Sequence, residues 1–148
     1  MHTKEYIQQV NKKQQVVGAV LIDKNQKIIL FKRAKTLKHY PNYYEFPGGK
    51  VNDKETNQQA LIRELKEEIN IIVQYKDVIK FEKNKRSFKN IQLSLFIVTK
   101  WENDIHINQK IHSNMIKVDY QNLSVNSLID NDKTFICSIQ KFINNTFQ

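Results

Sequence analysis

Cysteine is nearly absent from this chain: Cys137 is the only one in 148 residues. A lone thiol forms no internal disulfide, so a packed core must hold the fold, and a reducing compartment is expected. Glycine and proline are scarce as well, at three and two residues. That excludes a collagenous or low-complexity chain. No apolar run approaches the roughly 20 residues that span a bilayer, so no membrane partner is expected. The opening residues, MHTKEYIQQVNKKQQ, lack the apolar stretch of a secretory signal. These absences point to a cytoplasmic location.

What remains is ordinary for a globular protein, with 40% hydrophobic and 26% charged residues. The length fits one domain with a real core. Residues 1–15 read as a polar N-terminal extension and residues 16–148 as a single domain. Basic residues outnumber acidic ones by 24 to 15, for a formal net charge of +9. Such a surface attracts polyanions, including nucleotide phosphates. The lysines are scattered, and a scattered pattern is that of a solvated surface. No stable nucleic-acid partner is expected, and the chain reads as a monomer or weak dimer.

Hydrophobic periodicity sets the elements. VVGAVLI (16–22) and KIILFKR (27–33) are strands joined by the polar turn DKNQ, which makes a hairpin. Residues 35–43 read as a loop, and YYEF is a short strand ended by Pro47. From Thr56 to Ile69 the period is helical. Thr56 with Gln59 forms a capping box, and Asn70 suits a left-handed end. IIVQY and VIKFEK look like strand pieces. IQLSLFIVTKW puts Ile91, Leu93, Leu95 and Ile97 on one face of a long strand. MIKV is a further short strand. Phe135, Ile136, Ile139, Phe142, Ile143 and Phe147 recur at helical spacing, with Cys137 read as a core thiol. The order is α+β.

The most informative stretch is EFPGGKVNDKETNQQALIRELKEEIN, residues 45–70. On the helix, Glu64, Glu67 and Glu68 share one face, while Leu61, Leu65 and Ile69 line the neighbouring one. Three like charges in one turn oppose the helix unless cations sit among them. Carboxylate oxygens suit Mg²⁺ or Mn²⁺. Gly48 and Gly49 permit a tight turn whose carbonyl can approach the same ion. Arg63 can hold Glu55, or another carboxylate, in a bidentate pair. An arbitrary acidic helix is usually a solvated face paired to neighbours such as Lys54, Arg63 and Lys66. Six matched fixed positions, however, arise by chance about once in ten million windows.

Those positions run Gly49, five residues, Glu55, seven residues, Arg63-Glu64-Leu65, one residue, Glu67-Glu68. This spacing resembles the Nudix box, with Asn70 where the box ends in glycine. KIILFKRAK, YYEFPGGKV, IQLSLFIVTKWE and LIDNDKTFI extend the likeness to the MutT-like branch, over roughly Val16 to Phe142. The resemblance implies an α/β/α sandwich with a mixed central sheet and the Nudix loop–helix–loop. It implies that Glu64, Glu67, Glu68 and the Gly48 carbonyl bind Mg²⁺, with Mn²⁺ as the alternative. It implies that Glu55 and Arg63 shape the loop and that Arg33 meets substrate phosphates. Phe46 and Lys89 would lie near the base, and Asn131 or Asp132 would read its edge. The implied reaction is hydrolysis of a nucleoside triphosphate, above all 8-oxo-dGTP, to the monophosphate and pyrophosphate. Such an activity sanitises the nucleotide pool and so protects DNA. The alternatives are another nucleoside diphosphate-linked substrate (a cytidine nucleotide, a dinucleoside polyphosphate, a sugar nucleotide or capped RNA) or a binding module without turnover.

One departure stands out. MutT-like enzymes carry a metal-binding glutamate in the loop after the long strand and a tryptophan beyond it. Running the KWE register forward without a gap puts Gln109 and Met115 there. Glu102, Asp104, His106 and His112 remain as substitutes, although His39, His106 and His112 lack the spacing of a zinc site.

Overall fold

The computed structural model describes residues 12–125 and 127–147. β1 (Gln14–Ile22) and β2 (Lys27–Arg33) form the expected hairpin. Asp23 closes its turn by accepting backbone N–H bonds from Asn25 and Lys27, both at 2.9 Å. β1 starts before Val16 because Gln14 and Gln15 already pair with Ile91 and Gln92. Those two glutamines thus belong to the sheet and not to the polar extension, whose residues 1–11 lie outside the described residues.

The remaining strands are β3 (Tyr44–Glu45), β4 (Gly48–Lys50), β5 (Lys85–Phe88), β6 (Ile91–Val98) and β7 (His112–Asp119). The sheet order is β3-β2-β1-β6-β5, with β4 on β1 and β7 on β2. β1 and β6 run parallel over eight pairs while the other pairs are antiparallel, so the sheet is mixed. Helix α1 (Asn57–Ile69) covers one face. The short helix α2 (Asp130–Lys133) leads into α3 (Ile136–Phe147), which covers the other. The architecture is the expected α/β/α sandwich.

Alternation along β1 feeds both cores. Val17, Ala19 and Leu21 pack under α1 with Ala60, Leu61, Leu65 and Ile69. Val20 and Ile22 pack under α3 with Phe135, Ile139 and Ile143. Leu93, Leu95 and Ile97 join that second core from β6, with Ile91 packed against it. Trp101 packs against the α1-side core.

Several expectations need correction. IIVQY and VIKFEK make single bridges, Ile72 to Glu102 and Ile79 to Ile97, around a 3-10 turn at Tyr75–Asp77. Cys137 and Phe147 are exposed. The fully buried stripe is Phe135, just before α3, with Ile139 and Ile143 on it, spaced four apart, and Cys137 falls off it. The strand read as MIKV extends back to His112. β5 lies outside the expected set, because KRSF alternates too weakly to register as a strand. No helix among the described residues is long and apolar enough to cross a membrane.

Helix α1 begins as expected. The Thr56 side chain accepts the Gln59 N–H at 3.1 Å, and the Gln59 side chain accepts the Thr56 N–H at 2.9 Å. It ends at Asn70, with φ 66°, whose N–H returns to Lys66. Thr56→Ala removes one arm of the cap and should cost about 1 kcal/mol. Urea unfolding of both forms checks this: the midpoint should fall while the slope stays unchanged.

Candidate active site

β1 and β2 meet only near their turn, at Leu21–Ile29 and Ile22–Ile28, and then diverge. β3 pairs with the diverging end of β2 at Phe31 and Lys32, and β4 with that of β1 at Val16–Gly18. A cavity of about 580 Å³ opens at this splay. α1 supplies one wall through Glu64, Glu67 and Glu68, and the 129–132 segment supplies another.

The wall is built around Arg63. Its Nε and one terminal nitrogen donate to Glu55 at 2.7 and 2.9 Å, a bidentate pair. Its other nitrogen donates to Glu64 at 2.9 Å and Glu67 at 3.2 Å. A further bond reaches the Lys50 carbonyl at 3.0 Å, tying the helix to β4. Arg63 and the Asn52 N–H hold Glu55 down at about 2, and Glu55 chiefly pushes the guanidinium up. The glycines give the acids room. A Cβ at Gly49 would sit 2.6 Å from both carboxylate oxygens of Glu64. A Cβ at Gly48 would run into the backbone of Val17 and Gly18.

The three acids differ in burial. Side-chain exposure is 61% at Glu67, 19% at Glu64 and 7% at Glu68. Burial, with Glu45 and Glu64 nearby, raises the Glu68 carboxyl to about 8. Its one nearby donor on the loop is the Gly48 N–H, at 3.3 Å.

The other predicted residues divide. Arg33, Phe46, Gly48, Asn131 and Asp132 all line the cavity. Lys89 does not: it is exposed in the turn after β5, and Ile91 lines the cavity instead. The 127–129 segment brings Asp132 in, because Tyr44 N–H bonds Ser127 and Ile129 N–H bonds Tyr44. Asp132 then accepts the Phe46 N–H at 2.9 Å. Its burial raises it to about 8, Glu45 adding to the rise while the Phe46 N–H and Arg33 oppose it.

The chain matches the NUDIX domain model over residues 12–135. It belongs to the Nudix family. An 8-oxo-dGTP diphosphatase of Proteus vulgaris is 37% identical over 94 residues, covering 64% of this chain and 83% of that one. The enzyme of the same name from Escherichia coli K12 is also 37% identical, over 95 residues, covering 63% and 71%. A solved MutT structure, from work on Aliivibrio salmonicida and Vibrio cholerae, superposes with TM-score 0.72 at 27% identity. It covers 88% of this chain and 100% of that one. The chain is a Nudix hydrolase of MutT type.

One residue of this Nudix site, Glu45, went unrecognised in the sequence, and a second, His112, was only one of four open candidates. Glu45 lies within EFPGG but outside the box spacing. It receives both carboxylate contacts of Arg33, at 2.9 and 3.1 Å. His112, which the residue types left open beside three other candidates, is fully buried. Its Nε2 lies 2.9 Å from Glu45 and 3.4 Å from Glu68. A shift in register puts it there: Lys32 pairs with Asn114, but Arg33 pairs with His112 and skips Ser113. Such a bulge re-aims a side chain. No local signal in the sequence marks it. Gln109 is exposed and off the cavity lining, as are Glu102, Asp104 and His106, while Asn108 lines it. Met115 packs against the α1-side core.

Nudix hydrolases need a divalent metal, and the donor set suits one. Carboxylate oxygens at Glu64, Glu67 and Glu68 face one cavity beside the Gly48 turn. Glu68 is buried among like charges, an arrangement that a cation relieves.

Asp132 sets a pH dependence away from those acids. An acid raised from 3.8 to about 8 stabilises the fold fully below pH 4, and that stability is lost as pH rises toward 8. An asparagine in its place would keep the Phe46 bond without a charge to bury. Hence Asp132→Asn should melt progressively higher than the parent from pH 4 to 8, in thermal scans at matched pH.

Proposed function

We propose that this chain hydrolyses nucleoside triphosphates with Mg²⁺, or Mn²⁺ in its place, to the nucleoside monophosphate and pyrophosphate. The substrate proposed is 8-oxo-dGTP, as the names of its relatives suggest. The observation that carries the reading is one cavity lined by both halves of the required chemistry. Glu64, Glu67 and Glu68 lie on one wall, and Arg33, Phe46, Asn131 and Asp132 line the rest.

In this reading Glu64, Glu67, Glu68 and the Gly48 carbonyl hold the ion. A bound divalent ion offsets phosphate charge and acidifies water. Glu55 and Arg63 keep the loop and helix in register. Arg33 meets the phosphates. Phe46 packs on the base, and the 131–132 pair reads its edge. Asn131 offers both a donor and an acceptor, and a protonated Asp132 does the same. Water attacks a bridging phosphorus, a new P–O bond forms, and pyrophosphate leaves with the electrons of the broken one. A bound ion would hold Glu68 ionised, and its carboxylate would then accept the proton of that water.

A pyrophosphate-release screen over normal and oxidised nucleotides tests the reading, with 8-oxo-dGTP expected to lead. Nucleotide binding with no pyrophosphate released from any substrate would make this a binding module. Glu68→Gln should lower turnover about a hundred- to ten-thousand-fold while the circular dichroism spectrum stays unchanged. Near-parental turnover at saturating Mg²⁺ would remove Glu68 from the mechanism. Arg33→Ala should weaken triphosphate binding by roughly 1–3 kcal/mol. Calorimetry with the matching nucleoside, which should bind as before, separates phosphate contact from general damage.

A further inference from the structure

We infer that His112, Glu45 and Glu68 form a second cation site, one that takes a transition-metal ion such as Mn²⁺, Co²⁺ or Zn²⁺ in preference to Mg²⁺. One donor atom from each residue converges within 4.8 Å of the others. Two donors each about 2.1 Å from a shared ion stand about 3.0–3.4 Å apart at octahedral to tetrahedral angles. The His112 Nε2 lies 3.4 Å from Glu68, within that span, and 2.9 Å from Glu45, just below it.

A hydrogen bond alone does not account for the cluster. A neutral imidazole with its proton on Nε2 can satisfy one carboxylate, and Arg33 already donates to both oxygens of Glu45. Glu68 is left with His112 as its only ion-pair partner among the described residues. His112 is fully buried and the two acids are nearly so at the cavity wall, with side-chain exposures of 0%, 12% and 7% for His112, Glu45 and Glu68. Arg33 is a single cation beside two buried acids, so one charge stays costly unless a further cation joins them.

The nitrogen donor decides the ion. Mg²⁺ prefers oxygen ligands, whereas imidazole suits Mn²⁺, Co²⁺ and Zn²⁺. His112 Nδ1 has no hydrogen-bond partner. A ligand histidine braced by an outer acceptor binds more tightly, so this site suits an ion that exchanges. The register shift opposite Arg33 is what delivers the nitrogen. Glu68 bridges this site and the outward acids of α1, so the inference shares that residue with the hydrolytic reading.

The test reads bound metal and not product. The full chain is loaded with Mn²⁺ and examined by pulsed EPR, and Mn²⁺ and Mg²⁺ affinities are measured separately by calorimetry. Nitrogen modulation from a bound imidazole is expected in the parent. In His112→Gln the modulation should vanish, with Mn²⁺ affinity falling about tenfold or more and Mg²⁺ affinity by less than about threefold. Should His112→Gln not fold, Glu45→Gln removes another arm and should also weaken Mn²⁺ more than Mg²⁺. Bound Mn²⁺ without nitrogen modulation in the parent overturns the proposal. So does an equal loss of both metals in the variant, which would make His112 a positioning residue. Pyrophosphate release without nitrogen modulation rejects this site and leaves the hydrolytic reading standing. Nitrogen modulation without pyrophosphate release does the reverse.

Discussion

One guanidinium holds the site in shape. Arg63 has five N–H donors, and each finds an acceptor: two on Glu55, one each on Glu64 and Glu67, and the Lys50 carbonyl. Those acceptors come from the loop, the helix and β4. The planar fork therefore fixes three segments through five bonds, more than the three donors of a lysine ammonium can make. It also makes the acidic helix tenable. Glu64 and Glu67 would otherwise repel each other a single turn apart, and Arg63 sits between them.

Arg63 does not reach Glu68, and that omission shapes the electrostatics. The acids it touches keep a cation at their side. Glu68 instead faces Glu45 across a buried gap, with the Gly48 N–H and His112 as its direct partners among the described residues. One turn of helix thus presents three copies of the same side chain in three environments, from open solvent to near-complete burial. Their chemistry differs because their surroundings differ.

The parts of this molecule that were legible in the sequence are those written locally. The hairpin, the long β6, the capped α1 and the Arg63–Glu55 pair each depend on spacing within one segment. Glu45 and His112 were not legible as partners, because the sheet brings them together across 67 positions. A skipped residue opposite Arg33 then turns His112 inward, and composition carries no trace of that. Gln109 attracted notice through an ungapped register, yet it sits in an exposed turn that the chain takes before β7 begins. The strand-like run 71–83 misled for a related reason: Ile71, Val73 and Phe81 fill the core while Ile72, Tyr75 and Ile79 stay exposed, without regular pairing.

The parallel pairing of β1 with β6 has a consequence for how the molecule comes into being. Gln14 faces Ile91 and Leu21 faces Val98, so the middle of the sheet joins two distant parts of the chain. During synthesis the β1–β2 hairpin and α1 emerge first, with the inner edge of β1 unpaired. Strand pairs of such sequence separation form slowly, since a long loop must close before the contact repays it. An open apolar edge is also where chains stick to one another. The nascent protein is therefore most vulnerable to aggregation from the completion of its first hairpin until β6 leaves the ribosome.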